Sequence, residues 1–168
     1  MCIRLELDLD SSTADQVCYL HGAPHELRLT FQFPLDSGSN DNRWIDGVVT
    51  IRQCSLSLDY GFACCGWDLV QFAESLRQLH AQLDGDAEFA SQEGSVCVRL
   101  HVVDAGRGSI AVDVSLEQDV RSPFTEDRSF PLLEIPGFGI EQSYLREFAT
   151  RIDGFLRETG VDLTHPMM

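Results

Sequence analysis

The chain has 168 residues and a hydrophobic content of 43%, enough for one domain (1–168) that buries about 70% of the surface of its unfolded form. Acidic side chains number 27 against 12 basic ones, all of them arginine, and the formal net charge is −15. A field of this sign repels nucleic acid and anionic membranes but attracts a basic protein. We therefore expect no nucleic-acid or membrane partner, and two interpretations of the charge stay open: solubility alone, or a basic protein partner.

The start of the chain alternates apolar with charged side chains from Met1 to Asp8, which argues against the apolar core of a secretory signal. The sequence has no stretch approaching the ~18 apolar residues of a membrane span. We expect a cytoplasmic protein, in which the six cysteines behave as small, mostly buried apolar residues rather than disulfides. The adjacent pair Cys64 and Cys65 leaves a redox role as the alternative.

Alternating apolar side chains predict strands in the first third of the chain. Residues 3–9 and 25–33 show the period of two that is typical of a strand with one solvated face. Residues 34–42 are almost entirely polar and predict a flexible loop. From 44 to 62 the chain again appears extended, with a change of phase near Gln53 that indicates a bulge or a turn into another strand.

Two segments have the apolar spacing of amphipathic helices. In residues 67–83 leucine, phenylalanine and alanine recur every three or four positions, and Gly85 is expected to end the helix. The same spacing recurs over 145–156, with Gly160 as the predicted end. Each helix therefore has one face suited to packing on a sheet.

Between the helices the chain alternates again over 87–90, 96–103 and 109–117, which predicts three more strands. A further strand is predicted over 129–135, where Pro131 suits only an edge or a bulge. We expect that strand to end at Pro136 and Gly137.

The order of these elements predicts an α+β fold. Tandem hairpins, rather than alternating strand and helix, favour an antiparallel sheet, and two one-sided helices favour packing on one of its faces. The prediction is a twisted antiparallel sheet of about six to eight strands with two amphipathic helices packed on one face. No internal repeat is evident in the sequence.

Two short motifs approach known binding sites without completing them. Cys18, His21 and His25 have the short spacing of zinc ligands, but a structural site needs a fourth ligand that the spacing does not supply. We therefore predict an ordinary loop and no metal site. The glycines of 137–139 lack the third glycine and the parallel-strand context of a phosphate-binding loop, so we predict a tight turn there.

We predict no catalytic or cofactor-binding residues and no enzymatic activity. His80 falls on the apolar stripe of the first helix and is expected to pack in the core, while His101 lies on the solvated face of a strand. Neither has a nucleophile in a recognisable motif. Trp44 and Trp67 are expected to be core residues rather than interface anchors.

The second half of the chain resembles the WapI-like bacterial immunity protein family over approximately residues 66–158. The segments that carry the resemblance are 66–72, 85–89, 98–100, 108–112 and 140–145. The last of these enters the final helix, where the family tends to show Asp-Gln-x-x-Leu and this chain has Glu141 in place of the aspartate. The resemblance implies an immunity protein that neutralises the C-terminal toxin domain of a polymorphic toxin.

The leading hypothesis is therefore a binding protein that occludes a basic toxin domain. The polar face of the first strand, with Glu6, Asp8 and Asp10, is the candidate partner contact. The alternatives are a small-ligand-binding or accessory domain, an enzyme with an unrecognised site, or a protein that self-associates through an edge strand.

Overall fold

A computed structural model describes residues 2–10, 26–34, 44–53, 56–120 and 128–160. Eight strands and two helices follow in this order: β1 Cys2–Asp10, β2 Glu26–Pro34, β3 Trp44–Gln53, β4 Leu56–Cys65, α1 Gly66–Gln82, β5 Asp86–Ala90, β6 Val96–Asp104, β7 Ser109–Val120, β8 Arg128–Glu141 and α2 Ser143–Thr159. The α+β class and the antiparallel pairing predicted from the sequence are confirmed.

The backbone hydrogen bonds of the strands form two ladders. The first sheet has the order β1-β2-β3-β4 and the second has the order β5-β6-β7-β8. The N–H of Gln92, just after β5, donates to the carbonyl of Ala63 in β4 over 3.2 Å. The two sheets therefore meet near the edge of β4, and sequence neighbours are also neighbours in each sheet.

The chain consists of two units with the same order of strands and helix, a repeat that was not predicted from the sequence. Each four-stranded sheet is followed directly by a helix of 17 residues. The two helices share the spacing Leu-x2-Phe-Ala-x2-(Leu or Ile), and these residues are buried in both: Leu69, Phe72, Ala73 and Leu76 in α1, and Leu145, Phe148, Ala149 and Ile152 in α2. Because many amphipathic helices show similar spacing, this pattern alone does not indicate a repeat.

The helices are exchanged between the two units. α1 packs against β5, the first strand of the second unit, and α2 packs against β1, the first strand of the first unit, while the helices also contact each other. Arg77 and Asp153 occupy equivalent positions in the two helices, 76 residues apart, and form a salt bridge. Contact between equivalent residues is the arrangement expected beside a two-fold axis.

The hydrophobic core is one cluster to which both sheets and both helices contribute. At its centre lie four phenylalanine rings. Phe89 of β5 lies 5.5 Å from Phe31 in β2, 5.6 Å from Phe62 in β4 and 5.7 Å from Phe72 in α1, measured between ring centroids. Most of these contacts are edge-to-face, the geometry that aromatic quadrupoles favour. Side chains from both sheets and from α1 therefore meet at this point.

The predicted turn at 137–139 is wrong. β8 continues to Glu141, and Phe138 pairs with Val112 of β7. The register shifts between Val112 and Val114, so β8 contains an extra residue at Pro136 and Gly137. A bulge of this kind accommodates a proline, which has no N–H for the ladder, without ending the strand.

Other boundaries agree more closely with the sequence. The stretch 44–62 divides into β3 and β4, and Gln53 pairs with Leu56. α2 is followed by Gly160 in a left-handed conformation (φ 66), as predicted. α1 ends at Gln82, one residue earlier than predicted, because Leu83 already takes the left-handed conformation of a helix cap (φ 50). The loop predicted over 34–42 lies outside the described residues, except for Pro34 at the end of β2.

Substitution of Gly47 is expected to destabilise the core. Gly47 pairs with Phe62, and a Cβ at this position would overlap the Phe62 ring. We expect Gly47→Ala to lower the free energy of unfolding by about 1–3 kcal/mol, because an overpacked core must displace a ring. The shift of the urea unfolding midpoint measures this loss.

Gly61→Ala is the matched control, since Gly61 lies in the same strand pair. The atom nearest to a Cβ there is the Gly47 carbonyl oxygen, at 4.0 Å. We expect its free energy of unfolding to change by about 0.5 kcal/mol at most. Equal losses in the two variants would show that the close approach to Phe62 is not the cause.

Candidate partner-binding surface

The sequence-predicted contact lies on β1, an edge strand of the first sheet. The structure describes the backbone register of its three residues: Glu6 pairs with Thr30, Asp8 with Arg28 and Asp10 with Glu26. Leu7, between Glu6 and Asp8 in the chain, is buried.

A second surface, not predicted from the sequence, is an open groove of about 610 Å³ between α1 and β5. Alternation along β5 buries Ala87 and Phe89 and leaves Asp86 and Glu88 exposed. We call this feature the α1–β5 groove, and its lining residues are Trp67, Val70, Gln71, Glu74, Ser75, Asp86 and Glu88.

The apolar part of the α1–β5 groove comes from the first turns of α1. Trp67 and Val70 are half-buried, and Val70 packs against the core. The start of the helix is held by Asp68, whose carboxylate accepts a hydrogen bond from the Cys65 N–H at 2.8 Å. An acidic side chain in the first turn also interacts favourably with the helix dipole. These interactions determine where Trp67 lies.

The expectation that both tryptophans are core residues is wrong for Trp44. Its side chain is 51% exposed. Trp44 and Asp46 lie in phase on the outer face of β3, whereas Ile45 between them is buried. The strand period, rather than the hydrophobicity of the side chain, therefore decides its environment. Trp67 is half-buried and lines the groove, so it belongs to a surface as well as to the packing beneath it.

The charged part of the α1–β5 groove consists of carboxylates. Glu74 forms a salt bridge with Arg77 at 3.1 Å, and Asp86 forms one with Arg99 at 2.8 Å. Both pairs are substantially exposed and therefore screened by water. The two arginines are outside the lining of the groove, where three carboxylates and no cationic side chain of the described residues are found.

Cys64, Cys65 and Cys97 have the environments of structural thiols. Burial raises the pKa of Cys64, and the nearby Asp68 raises it further. Burial is also the largest cause of the raised pKa of Cys65 and of Cys97. A thiol must lose its proton to act as a nucleophile or metal ligand, so none of these three sites favours that chemistry.

No group of three or more potential metal ligands occurs among the described residues, and the predicted motif of Cys18, His21 and His25 lies outside them.

His101 lies on the outer face of β6, as predicted, with Nδ1 3.3 Å from a carboxylate oxygen of Asp113. Cys97 is four residues away along the same strand, about 13 Å, which is too far for a cysteine–histidine pair.

Gln142 connects the start of α2 to two other elements. Its side-chain amide donates to the His80 carbonyl at 2.8 Å, and its backbone N–H donates to the Gly108 carbonyl at 3.1 Å. His80 is half-buried, and Leu145 is fully buried beneath this junction. The glutamine and leucine of the segment 140–145 thus have structural roles. By contrast, residues from 66–72 and 85–89 line the α1–β5 groove.

A family model described as the Immunity protein WapI-like family matches residues 23–160 of the chain. The match covers most of the chain and extends the resemblance seen after residue 66 to include β2, β3 and β4. No curated protein and no solved structure matches the chain. Neither of the two helices in the described residues is long and apolar enough to cross a bilayer.

Thiol accessibility tests the structural assignment of the cysteines. We expect iodoacetamide to label Cys97, which is half-buried, at least about tenfold faster than Cys64 in the native protein, since access to a fully buried thiol requires local unfolding. Mass spectrometry of the two peptides measures the rates. In denaturant the two cysteines should react alike; rapid native labelling of Cys64 would contradict the structural assignment.

Proposed function

The chain belongs to the WapI-like immunity protein family, and we propose that it neutralises a cognate bacterial toxin domain by binding it directly. The observation that carries this proposal is the family match over residues 23–160. In the proposal the toxin domain is basic, belongs to a polymorphic toxin system and is occluded in the cytoplasm. The protein then acts without catalysis and without a nucleic-acid or membrane partner.

The charge of the chain supports a basic toxin domain. A net charge of −15 accelerates encounter with a cationic partner, typically by about 10-fold to 1,000-fold at low ionic strength. Long-range attraction of this kind affects the association rate, whereas a few buried contacts determine most of the affinity. Occlusion requires a complementary surface and no reactive group.

The proposal is tested with the protein encoded by the gene adjacent to that of this chain. We expect its expression to arrest bacterial growth and co-expression of the chain to restore it. The purified proteins should form a complex whose association rate falls at least about tenfold between low and high salt, because salt screens the attraction between opposite charges. Surface plasmon resonance measures that rate.

An unrelated protein with the same net charge serves as the control for non-specific capture. It should neither restore growth nor bind the toxin domain at moderate salt. Failure of the chain to protect, together with the absence of a complex, would show that the proposed function is wrong.

On the basis of the sequence, we propose that the toxin domain contacts the face of β1 with Glu6, Asp8 and Asp10. Combined substitution Glu6→Gln, Asp8→Asn and Asp10→Asn is expected to weaken toxin binding about tenfold, mainly through slower association. The control combines Glu134→Gln, Glu141→Gln and Glu158→Gln, three exposed residues outside β1. It removes the same charge, so an equal loss of affinity in both variants would contradict a specific contact at β1.

A further inference from the structure

We propose that the α1–β5 groove is the docking site for a cationic segment of the toxin domain. The inference rests on the proposed function and specifies its surface. The groove encloses about 610 Å³, its lining combines an aromatic and an aliphatic side chain with carboxylates, and it opens to solvent on the outside of the core. The occupant is a stretch of the partner with arginine or lysine side chains.

The chemistry of the lining matches both parts of such side chains. Arginine and lysine have an apolar stem and a charged head, so their stems pack on apolar surface while their heads seek carboxylates. Trp67 and Val70 provide the apolar surface, and an indole ring also attracts cations through its face. Hydrogen bonds between a guanidinium and a carboxylate are among the stronger ones in proteins.

The carboxylates of the groove are available to an incoming cation. Glu74 and Asp86 have arginine partners in the structure, but these pairs are exposed, and exposed pairs contribute little free energy. A cation that enters the groove can pair with these carboxylates beside the two arginines, or can replace the arginines as their partner. Glu88 lies opposite Arg99 in the register of β5 and β6. The groove thus attracts cations without first breaking a buried interaction.

The second unit shows that the fold alone does not produce this chemistry. In α2 the positions equivalent to Trp67, Val70 and Ser75 are Ser143, Arg146 and Arg151. The corresponding side of α2 thus has no tryptophan, and it has arginine in place of Val70 and Ser75. The position equivalent to Gln71 is Glu147, which pairs with Arg151 at 2.6 Å. The combination of tryptophan and carboxylates belongs to the sequence of the first helix and of β5, which is evidence for a specialised surface.

The first test places a positive charge in the groove. Gln71 lines the groove, and Gln82 is exposed at the last position of the same helix, outside the lining. Gln71→Arg is expected to weaken toxin binding at least about tenfold, because a like charge opposes the cationic segment. Gln82→Arg makes the identical change away from the groove and should stay within about twofold of wild type. Equal binding by the two variants would overturn the proposal.

The second test removes the carboxylates. We expect the combination Glu74→Gln, Asp86→Asn and Glu88→Gln to weaken binding about 10-fold to 100-fold. The triple variant of Glu134, Glu141 and Glu158 described above is the control for net charge. All three groove residues are exposed, so the thermal unfolding midpoint should stay close to that of wild type. Similar losses in both triple variants would overturn the groove as a specific site.

A synthetic peptide of alternating arginine and valine distinguishes failure of the groove from failure of the proposed function. We expect it to shift the amide resonances of residues 67–75 and 86–88 in wild type and Gln82→Arg, but not in Gln71→Arg. If these shifts occur and the toxin domain does not bind, the groove is a cation site and the immunity function is wrong. If the toxin domain binds and all groove variants behave as wild type, the function stands and the groove inference is overturned.

Discussion

The contact of four phenylalanine rings is the constraint on which the rest of the structure depends. Each sheet supplies at least one ring and α1 supplies another, with Phe89 in contact with the other three. Aromatic pairs of this geometry contribute about 0.5–1.5 kcal/mol beyond their burial. The arrangement requires glycine at position 47, where the Phe62 ring occupies the space of a side chain. One face of each sheet is thereby committed to the core, while the other carries mainly polar residues together with the exposed Trp44.

The exchanged helices follow from this core. Since Phe72 must reach Phe89, α1 lies over the first strand of the second unit, and the packing of α2 on β1 is the equivalent arrangement. The salt bridge between Arg77 and Asp153 joins equivalent positions of the two helices. Its partners are substantially exposed, so it contributes far less than the buried rings. The α1–β5 groove is the outer margin of this same helix–strand contact.

Local periodicity predicted the strands and helices well, because alternation and helical spacing are properties of neighbouring residues. It did not predict the bulge at Pro136 and Gly137, since proline and glycine also favour turns and only pairing with β7 distinguishes the two. The close approach of Phe62 to Gly47 and the repeat of the units likewise depend on residues far apart in sequence. The groove was missed for the same reason: Glu74 meets Asp86 and Glu88 only when α1 packs on β5.

The strand that the sequence predicted as the partner contact, β1, has the same place in the first unit as β5 has in the second. Glu6 and Asp8 belong to β1, the first strand of its unit, and the exposed Asp86 and Glu88 belong to β5, the first strand of the second unit. What differs is the helix beside each strand, since α2 has arginines where α1 has Val70 and Ser75. Acidic residues on a strand attract a cation more strongly where the neighbouring surface adds to their field and accepts the apolar stem. The side chains of the neighbouring helix therefore make the chemistry of the two surfaces different, although their strands occupy equivalent places in the two units.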